Sequence, residues 1–173
     1  MKAFFRSALL SLLTLALFSC AQNGAVTGTW ETTYVLKTGL SDIEDDSAPD
    51  IFLNVEQRIS YSFSAAEGEN SGTYTKRVAQ VFQSLENDTA LQLPSDEELS
   101  AQINNELTFY GTYTTHGRTI SFSIDEIALQ DGTKMSYEDY YAANSFIGEK
   151  ETQEKYSQTG DVLIIAGIAY KKR

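Results

Sequence analysis

The chain has 173 residues, two prolines, one cysteine and a formal charge of −11 at neutral pH. Such an acidic balance excludes the electrostatic footprint of a nucleic-acid binder or of a protein docking on anionic headgroups, and a lone cysteine cannot close a disulfide within the chain. Abundant Tyr (10) and Phe (9), with frequent Ser and Thr, suit pleated, half-buried strands.

Lys2 and Arg6 precede a run from Ala8 to Phe18 that is apolar except for Ser11 and Thr14. The run has the length of a secretory signal and is too short to cross a hydrocarbon core of about 30 Å as a helix. It ends at Leu17-Phe18-Ser19-Cys20, which resembles the bacterial lipobox. That resemblance implies cleavage before Cys20 and acylation of its thiol, palmitate included. An ordinary secretory signal followed by an incidental thiol is the alternative. Several acyl chains anchor a protein stably where one holds it only marginally. Residues 1–19 are then a lipoprotein signal peptide, 20–27 a lipidated tether and 28–173 the folded domain. Loss of residues 1–19 takes Lys2 and Arg6 with it and leaves 154 residues at a formal charge of −13, the size of one domain. Ala21-Gln22 follow the cysteine, with no Asp. By analogy with enteric bacteria this places the protein in the cell envelope, at the outer membrane.

The first predicted strand is Thr29 to Lys37, with Trp30, Thr32, Tyr34 and Leu36 on one face. Gly39 to Asp50 reads as an acidic loop. From Ile51 to Phe63 the residues alternate over thirteen positions, with only Gln57 out of character on the apolar face. This is the signature of a long half-buried strand. Ala66 to Gly72 is a turn, and Thr73 to Ser84 a strand with Tyr74, Val78 and Phe82 on one face. Ser95 to Asn104 reads as a short helix. Ser95 and Glu98 form a capping box, and Leu99 and Ile103 share a stripe expected to be buried. Leu107 to Thr115 and Arg118 to Glu126 make a hairpin with His116-Gly117 at its tip. Ile127 to Met135 reads as a short strand around the turn signal QDGTK. Ser136 to Asn144 fits a short helix capped by Ser136. Glu151 to Gln158 and Asp161 to Tyr170 are the last two predicted strands.

The fold expected is therefore all-β: eight antiparallel strands, nearly all neighbours in sequence, with one or two short helices. Closure into an up-and-down barrel disposes of the sheet edges. Gly28-Thr29-Trp30, at the start of the first strand, resembles the lipocalin and calycin signature. Gly111 to Ser123 and Gly160 to Arg173 are similar to the central hairpin and last strand of small bacterial lipocalin-like lipoproteins. In that family the tryptophan plugs the closed end of the barrel, so the resemblance assigns this role to Gly28 and Trp30. It also implies a basic residue packed over the tryptophan; Lys171, Lys172 and Arg173 are the candidates.

An eight-stranded barrel is either filled by side chains or holds one small ligand. The inward set is expected to include Leu53, Ile59, Phe82 and Ile164. Its candidate ligand-binding members are Tyr61, Phe63, Tyr74, Tyr113, Phe122 and Ile124, and the tyrosine hydroxyls among them would orient a mainly apolar ligand. His116, the only histidine, reads as a turn residue. The carboxylates of Asp42, Glu44, Asp45, Asp46 and Asp50 do not match a calcium loop. Glu138-Asp139 with Tyr137, Tyr140 and Tyr141 reads as a helix with one buried aromatic side. No nucleophile, phosphate loop or paired cysteine motif stands in the sequence. The function expected is a non-enzymatic, lipid-anchored envelope protein binding a small apolar ligand, without cofactor, metal or nucleic acid. The alternative is a structural or interaction lipoprotein with a filled barrel that binds protein or glycan through its loops.

Overall fold

A computed structural model describes residues 25–40, 51–87, 93–144 and 149–173. The expected signal, Cys20 and positions 41–50 of the expected acidic loop lie outside these residues, while Gly39 and Leu40, expected in that loop, end the first strand instead. The elements are β1 (Gly28–Leu40), β2 (Ile51–Ser64), β3 (Ser71–Asn87), α1 (Asp96–Ile103), β4 (Asn105–His116), β5 (Thr119–Leu129), β6 (Lys134–Ser136), α2 (Tyr137–Ala143), β7 (Glu151–Thr159), β8 (Val162–Ile165) and β9 (Ile168–Lys172). All strand pairings are antiparallel. Eight strands close a ring in the order β1-β2-β3-β4-β5-β7-β8-β9, with β9 returning to β1. This closed barrel is compatible with a calycin fold.

The ring holds eight strands, but two of them differ from the expected set. The predicted strand over Ile127 to Met135 is the end of β5, a turn, and the three-residue β6. β6 pairs only with the upper part of β5, at Glu126–Ala128, and stays outside the ring. The predicted strand over Asp161 to Tyr170 is a hairpin instead. Ala166 and Gly167, both at positive φ (51° and 82°), turn β8 back into β9. This also overturns one inward assignment. Ile164 points out and is 38 % exposed, whereas Leu163 and Ile165 are buried. An unbroken apolar run such as Val162–Ile165 carries no parity signal, so its facing is set by the hairpin register.

Elsewhere local chemistry and fold agree. The Ser95 side chain accepts from Glu98 N–H while the Glu98 carboxylate accepts from Ser95 N–H at 2.8 Å, completing the capping box of α1. Ser136 caps α2 by accepting from Asp139 N–H at 3.1 Å. The stripe of Leu99 and Ile103, expected to be buried, is only half-buried, and α1 contains no buried residue. The helix is held on β3 at its end, where Phe82 N–H donates to Asn104 Oδ1 at 2.7 Å. In α2, Tyr137 and Tyr140 are buried against Ile127 and Tyr141 is exposed.

Strand lengths make the barrel lopsided. β1, β2 and β3 have 13, 14 and 17 residues, while β7, β8 and β9 have 9, 4 and 5. β1 meets β9 only at Trp30↔Lys172 and Glu31↔Lys171. The wall is thus complete in its lower half and drops away above β7–β9. Leu36, on the inner face of β1 above that closure, is 45 % exposed for this reason. The outward face carries Thr33, Ser60, Ser62, Thr75, Thr112, Thr114, Ser121 and Ser123. A hydroxyl-covered wall is unlike the apolar band of a membrane-spanning barrel. Among the described residues no helix is long and apolar enough to cross a membrane.

Candidate functional site: an interior cavity

The lower end is sealed from the N-terminal side. Residues 25–27 run across it, tied by Ala25 N–H to the Glu69 carbonyl at 3.0 Å. Gly28, at φ +95°, redirects the chain into β1, a conformation that costs a side-chain-bearing residue roughly 1–2 kcal/mol. Trp30 is completely buried, and its indole N–H donates to the Thr27 carbonyl at 3.1 Å. Tyr113 donates its hydroxyl to the carbonyl of Val26, itself buried. Lys172 is the basic residue over the tryptophan: its ammonium lies 5.5 Å from the ring centre.

Above this floor lies a cavity of about 270 Å³, slightly below the volume at which drug-sized sites begin. Its mouth is where the wall is low, at the β8–β9 turn and Glu149. Tyr61, Tyr74, Phe122 and Ile124 line it, four of the six residues singled out in the sequence. Phe63 and Tyr113 do not. They pack beneath it, Phe63 stacked on Tyr61 at 5.4 Å and edge-on to Tyr113 at 5.0 Å. The lining rings are themselves interlocked. Tyr74 meets Phe122 edge-on at 4.9 Å, and Tyr61 meets Tyr170 edge-on at 5.4 Å. Such contacts fix ring orientation and contribute about 0.5–1.5 kcal/mol each beyond burial.

The cavity is not wholly apolar. Lys76, Thr152, Glu149 and Glu154 also line it. Lys76 stands in one cross-strand row with Tyr61 and Phe109 as its direct partners. Its ammonium lies 5.4 Å from the Tyr61 ring centre and 6.0 Å from that of Phe109. Burial pulls its pKa below the ordinary lysine value, with Glu154 opposing. Burial also pushes the Tyr61 hydroxyl well above its usual range, with Tyr170, Tyr74 and Glu154 adding to the effect. The Tyr74 hydroxyl is raised by burial and by Asp125. Sequence reasoning passed over Lys76 and Glu154. The signal was available: Tyr74-x-Lys76-x-Val78 and Thr152-x-Glu154-x-Tyr156 each put the charge at an inward position.

A larger depression, about 410 Å³, opens on the outer wall of β4, β5 and β7 and is lined largely by hydroxyl side chains such as Thr112, Thr114 and Ser121. It is a surface groove without convergent charge. His116 is exposed at the end of β4, next to the Gly117-Arg118 turn. Among the described residues no group of three or more His, Cys, Asp or Glu side chains is placed to hold a metal ion.

Fold and site together define the class: among the described residues, a closed eight-stranded antiparallel barrel that encloses a cavity lined by Tyr61, Tyr74 and Phe122. Compared with known proteins, the chain matches no family model, no curated protein and no solved structure.

Proposed function

We propose that the protein is a lipid-anchored lipoprotein of the bacterial cell envelope, of lipocalin-like type, whose barrel holds one small, largely apolar molecule. It acts by binding, not by catalysis. The observation that carries this reading is the cavity. An eight-stranded barrel is narrow enough to be filled, yet this one keeps about 270 Å³ between Tyr61, Phe122 and Ile124. The anchor rests on Leu17-Phe18-Ser19-Cys20 and the apolar run before it. Cys20 and Gly28 are only eight positions apart in the sequence, so on this reading the sealed end of the barrel lies toward the bilayer. The cavity mouth, near the opposite end of β7–β9, then faces away from it.

Two experiments test the two halves. Cys20→Ser is expected to abolish acyl labelling and release the protein from membranes; unchanged labelling and retention would defeat the anchor. For the cavity, N-phenyl-1-naphthylamine, a neutral apolar fluorophore, is expected to bind at one site. Ile124→Trp, which fills the cavity, is expected to abolish that binding while preserving the β-sheet circular dichroism. Equal binding by the filled variant would favour a barrel that acts through its loops on protein or glycan.

A further inference from the structure

The geometry points to a ligand that carries a carboxylate, held by the ammonium of Lys76 while its apolar body lies against Tyr61 and Phe122. This rests on the cavity reading above and names the chemistry the cavity selects. Lys76 projects from the middle of β3 into the barrel, between the Tyr61 and Phe109 rings. Among the described residues no carboxylate lies within 4.0 Å of its ammonium, although five other Lys or Arg residues pair with Glu at 2.6 Å or closer. Lys76 is half-buried, and a partly desolvated cation without a close counter-ion is costly. Ring faces compensate part of that cost, and an anion brought by the ligand compensates the remainder through a charge-assisted hydrogen bond.

Glu154 is the internal competitor. It faces the same cavity from β7, yet stays beyond ion-pair distance. Its charge opposes the lowering that burial imposes on the Lys76 ammonium and rejects a ligand carboxylate placed on the β7 side. The head group is therefore directed to the β2–β3–β4 wall, where Lys76 stands. The hydroxyls of Tyr61 and Tyr74, which burial keeps protonated, are further donors on that wall. A cationic head would meet Glu154 and Glu149 instead, so the charge on the probe discriminates between the two ends of the cavity.

The test uses the full chain in mild detergent, with detergent alone as blank, and three probes sharing one tail: 4-phenylbutyrate, 4-phenylbutanol and 4-phenylbutylamine. By calorimetric titration the carboxylate is expected to bind about tenfold more tightly than the alcohol, as one charge-assisted hydrogen bond supplies, and the amine most weakly. Lys76→Met is expected to erase the preference for carboxylate over alcohol. Lys76→Arg is expected to retain it, and Glu154→Gln to strengthen it. Equal binding of carboxylate and alcohol, or tightest binding of the amine, would overturn the carboxylate assignment while leaving the cavity intact. A preference that survives Lys76→Met would do the same. If none of the three probes binds, both the head-group assignment and the cavity reading fail.

Discussion

Removing a single hydroxyl from Tyr113 separates the sealed floor from ordinary core packing. Tyr113 is 1 % exposed and donates to the carbonyl of Val26, also 1 % exposed, in the segment that crosses the lower end. Tyr113→Phe keeps the ring and its edge-on contact with Phe63 but leaves that carbonyl buried without its donor. The expected cost is about 1–3 kcal/mol, or roughly 2–10 °C in Tm for a domain of this size. Tyr156 supplies the internal control. It too is buried, 5 % exposed, and among the described residues its hydroxyl has no hydrogen-bond partner. Tyr156→Phe deletes an unsatisfied polar group and is expected to be neutral or to stabilise by up to about 1 kcal/mol. Urea unfolding followed by the fluorescence of Trp30, the only tryptophan, reads both, with unchanged m-values. Equal losses in the two variants, or no loss in Tyr113→Phe, would refute the role given to this hydrogen bond.

Three further outcomes follow from the packing. A Cβ added at Gly111 would lie 1.9 Å from the Ser123 carbonyl oxygen and 3.1 Å from the Tyr74 ring, so Gly111→Ala is expected to part β4 from β5 and destroy cooperative unfolding. Gly68→Ala, at φ +81° in open space, is expected to cost only about 1–2 kcal/mol. Lys172→Met removes the cation above Trp30 and is expected to cost about 0.5–1 kcal/mol, with a shift in the Trp30 emission. Alkaline titration forms the last test. Burial pushes Tyr113 and Tyr170 up to about 12 and holds Tyr61 and Tyr74 well above the usual value. The folded state then keeps protons that the unfolded state, near 10, releases. Their contribution is complete below pH 10 and is lost as pH rises through 12. Tyrosinate absorbance is expected to rise in two phases, the second coinciding with loss of β-sheet circular dichroism. A single phase near pH 10 in a still-folded protein would contradict this burial pattern.

What was legible in the sequence is what local rules encode. The alternation from Ile51 to Phe63 is strong because one face of β2 meets the core along most of its length, and the N-caps at Ser95 and Ser136 are short-range hydrogen bonds. Gly28-Thr29-Trp30 marked the sealed end because a positive-φ glycine and a large plug are both visible as residue types. Less legible were features that depend on partners distant in sequence. Ile164 faces outward because of the β8–β9 register, and the turn at Ala166-Gly167 interrupts an apolar run with no polar residue to mark it. Leu36 and Leu99 lose their expected cover because β9 is short and α1 lies loosely. Lys76 and Glu154 were passed over because a charge within an alternating strand reads as an interruption of the apolar face. In the fold it stands on that face and gives the cavity its polarity.

Native mass spectrometry of the full chain, purified from the membranes of its own host, tests the central claim most directly. One small molecule bound per chain is expected in the wild-type protein, and none in Ile124→Trp prepared in the same way. A wild-type protein that flies with only its own covalent mass, or an added mass that survives the filling of the cavity, would contradict it.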